Sequence, residues 1–355
     1  MAKWIYILIA AILVIGIVFI FNGQIFKEEE IKENRTINFY QWKDYMPEEI
    51  LSGFEEETGI HVNLITFNDE FESKVEVLNN PGKYDLYVTG DPIVKEFISK
   101  DLLEKINKRK IKNFKNLDAT FLYKKYDSEN AYSIPYAYGT TGVIYNKKYV
   151  NKTPEVEDFW DVKYKGKIGM ILDADIEVSF ITKYVGSKII PEQTKDYISL
   201  ERFFDLQKEN VFFGNYEIIS QKLLDEELWI STIYGGLHLV LMENNEDLDY
   251  ALPKGSLLWI TNFVIPKGAE NKEEAELFID YILRPDNSKK IIEDGYAVPA
   301  VNNIERLTSD SRLVDYIRFV KGSDLEMISE YDENNLYDRI KETINEYFLE
   351  VENGS

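Results

Sequence analysis

From residue 36 onward the apolar positions switch repeatedly between the two-residue period of a strand and the 3.6-residue period of a helix. Thr36 to Tyr40 reads as a short strand. Pro47 sits where a first-turn proline is tolerated, Ile50, Leu51 and Phe54 form one apolar face, and Gly59 offers a left-handed stop before a second strand, Ile60 to Phe67. The result is a strand-helix-strand crossover. Tyr84 to Val88 predicts another strand, and Asp91-Pro92 an N-cap and first-turn pair opening a helix through Ile98. Further on, Ala275, Phe278, Ile279, Ile282 and Leu283 make the stripe of an amphipathic helix ended by Pro285. Leu336, Ile340, Ile344 and Phe348 predict a C-terminal helix packed by one face. Alternating helix and strand signals define an α/β architecture. Two segments are candidate crossings between lobes: Tyr136 to Gly142 leading into a strand from Val143 to Tyr145, and the strand Leu258 to Ile265. Gly139 and Gly142 supply the torsional freedom that a hinge needs, and that a tight turn would use equally well.

The N-terminus departs from this pattern. Trp4 to Phe21 runs eighteen residues without a charge, which at about 1.5 Å per residue crosses most of a bilayer's hydrocarbon. Lys3 precedes it, and Lys27 with Glu28, Glu29 and Glu30 follows, a charge order that leaves the body outside the cytoplasm. No small-x-small cleavage site follows Phe21, which favours an uncleaved anchor over a removed signal peptide. Residues 1–26 are thus read as anchor or signal and 27–35 as a linker. The remainder, about 320 residues, suffices for two lobes with separate cores and a cleft between them. There is no cysteine, which excludes disulfides, zinc-thiolate sites and a thiol nucleophile. The 63 acids against 41 bases argue against nucleic acid as a partner. The net charge of −22 assists the arrival of cations without defining a site, since charges beyond about 8 Å are largely screened.

The chemistry concentrates where aromatic rings meet acids. In an extended Phe39-to-Pro47 segment, Trp42 and Asp44 point one way and Lys43 the other, with Tyr45 following. Rings attract an ammonium over their faces, and an adjacent carboxylate adds a charge-assisted hydrogen bond. A core role for Trp42 and Tyr45 stands beside that reading. The theme repeats. Asp173, Asp175 and Glu177 precede Val178 to Ile181 at the start of a helix, where acids also complement the helix dipole. Asp91 has a capping role open to it. Trp259 lies in a strand with Thr261 and Asn262, while Tyr234 precedes Gly235 and Tyr296 follows Gly295. His61 and His238 are read as structural, each lacking an orienting partner. No phosphate loop, HExxH or EF-hand spacing is present, so the chain reads as a binder, not an enzyme, with no cofactor and no metal.

In this order the segments Phe39-Tyr-Gln-Trp-Lys-Asp-Tyr-Met-Pro47, Glu57-Thr-Gly-Ile60, Tyr84-Asp-Leu86, Tyr132-Ser-Ile-Pro-Tyr136, Tyr164-Lys-Gly-Lys167, Leu258-Trp259, Leu283-Arg-Pro-Asp286 and Gly295-Tyr296 with Pro299 resemble the spermidine/putrescine-binding proteins of bacterial ABC importers, within the type II periplasmic-binding superfamily. The resemblance covers most of the chain after Arg35. It implies an α/β, two-lobed periplasmic-binding-protein type II fold, with a ligand cleft between the lobes, preceded by the N-terminal transmembrane segment. Lobe 1 would comprise 36–141 and 262–300, and lobe 2 142–261 and 301–355. It also implies a monomer on the extracytoplasmic face that closes around a polyamine and delivers it to the ABC permease. Position by position, Trp42, Asp44 and Tyr45 match the first aromatic-acid cluster, Glu177 an amine-receiving acid, Trp259 a stacking ring and Tyr296 a wall residue. Tyr234 stands where tryptophan is frequent. Departures fall at Gly90 and Pro92, with Asp91 between them, at Thr261 in place of an aspartate, and at Ala174, flanked by Asp173 and Asp175. Two other readings stay open on the residues: the same fold binding a sugar or another small organic solute through groups such as Thr261 and Asn262, or a transporter-associated sensor without a ligand.

Overall fold

Strand β1 (Thr36–Trp42) pairs in parallel along its whole length with β2 (His61–Phe67), from Thr36 opposite His61 to Trp42 opposite Phe67. The connection is helix α1 (Glu48–Thr58), which buries Ile50 and Phe54 and stops at Gly59, whose φ of 69° lets its N–H reach the Glu55 carbonyl. This is the crossover expected from the sequence. The coordinates are a computed structural model and describe residues 35–43, 45–185, 210–294, 297–327, 329 and 344–345. The apolar run 4–21, Asp44, Tyr296 and all but two residues of the predicted C-terminal helix lie outside them. Among the described residues no helix is long and apolar enough to cross a membrane.

Helix α2 (Glu70–Asn79) leads to β3 (Leu86–Gly90), parallel to β1 on its other side, and α3 (Asp91–Ser99) follows. The long β4 (Ser133–Asn146), β5 (Ile168–Ile171), helix α4 (Ala174–Val185), β6 (Val211–Gly214), helix α5 (Tyr216–Leu224) and β7 (Ile230–Tyr234) come next. Helix α6 (Leu237–Asn244), β8 (Leu248–Ala251), β9 (Leu257–Val264), helices α7 (Lys272–Ile282) and α8 (Pro285–Asp294), β10 (Val298–Pro299) and α9 (Ser311–Lys321) complete the chain. The sheet runs β2-β1-β3-β9-β4-β7-β5-β6, with β8 and β10 also paired to β4. This is an α/β periplasmic-binding-protein fold.

The buried apolar side chains form two clusters. The first joins β1, β2, β3, α1, α3, α7 and α8, and the second joins β5, β6, β7, α4 and α5. Strand β4 feeds both, with Ile134, Tyr136 and Tyr138 in the first and Val143, Ile144 and Tyr145 in the second. Residues 139–142 therefore span the gap, as the sequence suggested, but within one uninterrupted strand rather than as a turn. The glycines serve close approach. A Cβ on Gly139 would overlap the Trp259 indole of the neighbouring β9, and one on Gly142 would overlap the Tyr250 hydroxyl.

Three other features differ from the sequence reading. Asp91 is the first residue of α3 with Gly90 at the N-cap, and its Oδ1 accepts a hydrogen bond from Ile260 N at 3.0 Å, tying α3 to β9. Pro285 opens a second helix, α8, directly after α7. The stretch from Val301 to Met327 packs Val301, Ile304, Tyr316, Ile317, Val320 and Met327 into the first cluster, whereas Ile344 joins the second. The reason lies in α9, whose Tyr316, Ile317 and Val320 form one buried face.

Because the Trp259 ring occupies the Gly139 surface, Gly139→Ala is expected to lower stability by roughly 1–3 kcal/mol, read as a lower urea midpoint. An unchanged midpoint would show that the indole is not seated there.

Candidate functional site

In an open α/β sheet, ligands bind outside the carboxyl ends of the parallel strands. Here those ends carry the rings and acids. Trp42 closes β1, Thr89 and Gly90 close β3, Tyr234 closes β7, and Asp173 follows β5. Trp42 is partly buried, its ring 4.7 Å from Phe67 and 6.3 Å from Tyr45. The Tyr45 carbonyl accepts from the Tyr136 hydroxyl at 2.7 Å, which fixes the chain just beyond β1. From the second cluster's side, Tyr234 donates its hydroxyl to Asp173 Oδ2 at 2.8 Å, and Asp173 Oδ1 accepts from Asp175 N at 2.9 Å and Ile176 N at 3.3 Å. Asp173 thus both caps α4 and orients a ring.

Electrostatics link the two sides. Burial pushes the Tyr45 hydroxyl up to about 12, with the charge of Glu70 and the phenol of Tyr216 adding to it. Tyr234 is held well above its ordinary value by burial, then by Asp173, Glu70 and Asp175. Glu70, on the first turn of α2, therefore faces groups of both clusters. Its own carboxyl is pushed up to about 7 by burial and by Asp91 and Asp175, against the opposing hydrogen bonds of Gly90 and Thr89. Glu177 is fully buried, and burial pushes it up to about 8. Burial also pushes Asp91 up to about 6, against hydrogen bonds from Ser329 and Ile260. Glu70 and Asp91 thus share one region with raised proton affinity, where a bound cation would stabilise their charged forms, whereas Glu177 is raised by burial alone.

The remaining predicted residues divide. Trp259 is partly buried over Gly139, and its indole N–H has no hydrogen-bond partner. Thr261 is buried and its hydroxyl donates to the Ala137 carbonyl at 3.3 Å, so it is engaged by the sheet. Asn262 is equally occupied, donating to Ile260 O at 3.0 Å and accepting from the Tyr126 hydroxyl at 3.2 Å. Asp44 and Tyr296 lie outside the described residues. Among the described residues no group of three or more His, Asp or Glu could hold a metal ion.

The sequence reading passed over Glu70, because an acid in a first helical turn reads as a dipole complement. Its only sequence signal is remote: Gly90, where any Cβ would come within 3.0 Å of Glu70 Oε1. His238 is structural, as expected. It stacks on Tyr250 with 3.9 Å between ring centroids, and burial pushes it down to about 3, so it stays neutral. Tyr250 and Tyr316 both meet Thr140 Oγ1, at 2.8 and 3.0 Å, where β4 passes between the clusters. His61 is exposed, with Nδ1 2.9 Å from Glu55.

A fold whose rings and acids gather at strand ends between two cores is that of a solute binder. The family profile described as bacterial extracellular solute-binding protein matches residues 49–311, and the chain belongs to that family. Its members bind solutes outside the cytoplasm and are not enzymes. The chain is 31% identical over 276 residues to the spermidine/putrescine-binding periplasmic protein of Escherichia coli K12, covering 75% of this chain and 78% of that protein. It is 27% identical over 272 residues to the putrescine/agmatine-binding protein of Pseudomonas aeruginosa, covering 71% and 74%. Among solved structures, the spermidine/putrescine ABC transporter substrate-binding protein PotD of Streptococcus pneumoniae matches with a TM-score of 0.70 and 25% identity, over 88% of this chain and 99% of that one. Iron-bound HitA of Pseudomonas aeruginosa shares the fold at a TM-score of 0.61 with 16% identity, so the fold by itself does not fix the ligand.

The buried Glu177 carboxyl sets a pH signature. Its folded value of about 8 lies above the ordinary 4.5, so the folded chain keeps a proton that the unfolded chain has lost, and stability falls as pH rises through that window. Glu177→Gln is expected to flatten this fall, read as urea midpoints of the ligand-free protein at pH 5 and pH 8. Parallel profiles for the two proteins would place the cause elsewhere.

Proposed function

We propose that this protein is the polyamine-binding component of an ABC importer, taking a linear, multiply charged amine between its lobes and delivering it to the permease. The carrying observation is that Glu70 and Asp91, two proton-retaining carboxyls that act on each other, meet where β3 ends at Gly90, among the strand ends that also bear Tyr234 and the indole of Trp42, with the Trp259 indole on the neighbouring β9. Burying carboxyls without a cation is unfavourable, and an ammonium ligand offsets that cost. The indoles suit the methylene chain between two amines, whose burial contributes about 25 cal/mol per Å². The names of the Escherichia coli and Pseudomonas aeruginosa relatives support the same ligand class.

In this reading Trp42, Tyr45, Tyr234 and Trp259 line the slot with Asp173, Asp175 and Glu177, joined by Asp44 and Tyr296 on the strength of the sequence. Asp91 and Thr261 support the slot from beneath, through the β9 backbone and the Ala137 carbonyl. The lobes follow the two hydrophobic clusters, with residues 36–138 and 258–327 in one and 143–251 in the other. Residues 4–21 act as a membrane anchor that holds the monomeric protein at the outer face of the plasma membrane. A neutral solute fits less well, since the Thr261 hydroxyl and the Asn262 amide it would use are already engaged by the protein.

Putrescine, cadaverine, spermidine and spermine at millimolar concentration are expected to raise the melting temperature, by mass action on the folded state, while glucose, maltose and neutral amino acids leave it unchanged. Absence of a shift with every polyamine would reject the ligand. A second expectation concerns acidity: affinity should rise from pH 6 to pH 8, as the carboxyls at about 7 and about 8 lose their protons while the amines of the ligand keep theirs. Titration calorimetry at both pH values checks it, and a flat profile would contradict it.

A further inference from the structure

We propose that Glu70 is a specificity-determining residue of the binding site, its free oxygen receiving one ammonium end of the ligand, an assignment that rests on the polyamine reading. Both hydrogen bonds that Glu70 accepts fall on one atom: Oε1 takes the Thr89 hydroxyl at 3.1 Å and the Gly90 N–H at 2.6 Å. Oε2 takes none, and it is not sealed in the interior. The carboxylate is thus anchored by one oxygen and presents the other. Among the described residues no lysine or arginine forms an ion pair with it.

The anchoring depends on what is missing from residue 90. A Cβ there would lie 3.0 Å from Oε1 and 3.3 Å from Oε2, so any other residue would make the carboxylate give by a few tenths of an ångström on the end of β3. Gly90 is also paired with Thr261 across the sheet, and the Thr261 hydroxyl is turned to the Ala137 carbonyl. At this corner the strands offer no charge of their own, and the acid arrives from α2. The groups facing it are Asp91 of α3, Asp175 of α4, Tyr234 of β7 and Tyr45 after β1, which are ring and acid partners of an amine. Thr89 and Gly90 hold Glu70 in one orientation, so its loss should affect the guest more than the scaffold.

The test is putrescine binding to the full chain by titration calorimetry at pH 7, in two buffers of different ionisation enthalpy. Glu70→Gln keeps the shape and is expected to weaken binding roughly ten- to hundredfold with the melting temperature of the free protein retained. It should also remove about half a proton of the release that accompanies binding, because the carboxyl sits at about 7 in the free protein. Gly90→Ala, which pushes the carboxylate aside without changing any charge, is expected to weaken binding as well. Wild-type protein that binds putrescine, with Glu70→Gln within threefold of it, would overturn the assignment and leave the polyamine reading standing. Weakened binding with unchanged proton release would mark Glu70 as merely structural and overturn it too. Wild-type protein that binds no polyamine would overturn both.

Discussion

The antiparallel pairing of β4 with β9 is the constraint on which the rest of the molecule depends. These two strands stay in register from Ala137 opposite Thr261 to Thr141 opposite Leu257, and β4 delivers buried side chains to both hydrophobic clusters. Each core could be assembled from its own crossovers. This ladder, continued by the pairing of β4 with β7, ties one core to the other, and so brings the strand ends bearing Trp42 and Gly90 opposite those bearing Asp173 and Tyr234. The glycines at 139 and 142 are part of the same device, since they admit the indole of Trp259 and the phenol of Tyr250 against a strand that must run on without a break.

Around that frame the electrostatic situation is unusual for a protein interior. Many charged side chains elsewhere have partners, at the surface as Arg284 with Glu57 at 2.6 Å, a kind of pair that contributes little, or in the interior as Asp127, which accepts from the Ala131, Tyr132 and Ser133 amides. At the end of β3, the carboxyls of Glu70 and Asp91 are withdrawn from water, and their affinity for protons rises. The folded state tolerates this cost because the surrounding packing is extensive. The cost is also what makes the site selective for positive charge, because a neutral guest does nothing to relieve it.

Much of the scaffold was legible in the sequence because it rests on local periodicity. The α1 stripe of Ile50 and Phe54, the Gly59 stop and the α7 stripe of Ala275, Phe278 and Ile279 came through intact. Asp91 was misread by one position, since an Asp-Pro pair fits both a cap and a first turn, and only the Ile260 amide reveals which. The continuity of β4 was not legible: glycine in sequence carries no sign of whether it serves torsion or close approach. Of the candidate site, the aromatic and acidic segments were visible as motifs. Glu70 was not, because what distinguishes it is the bare backbone of Gly90, twenty positions away along the chain. The packing of residues 301–327 with the first cluster likewise depends on contacts that no local pattern encodes.

The Thr140 side chain meets phenols that reach it from quite different parts of the chain, Tyr250 in β8 and Tyr316 in α9, and Tyr316 also accepts from the Thr140 amide at 3.1 Å. His238 packs against both rings, 3.9 Å from one and 4.9 Å from the other. Bending β4 at this point cannot proceed one torsion at a time, because three hydroxyls and an imidazole have to shift in concert. The joint is therefore held as a clasp and not as a loose strap, and for a guest whose entry required β4 to bend here the apparent affinity would include the free energy of undoing those contacts.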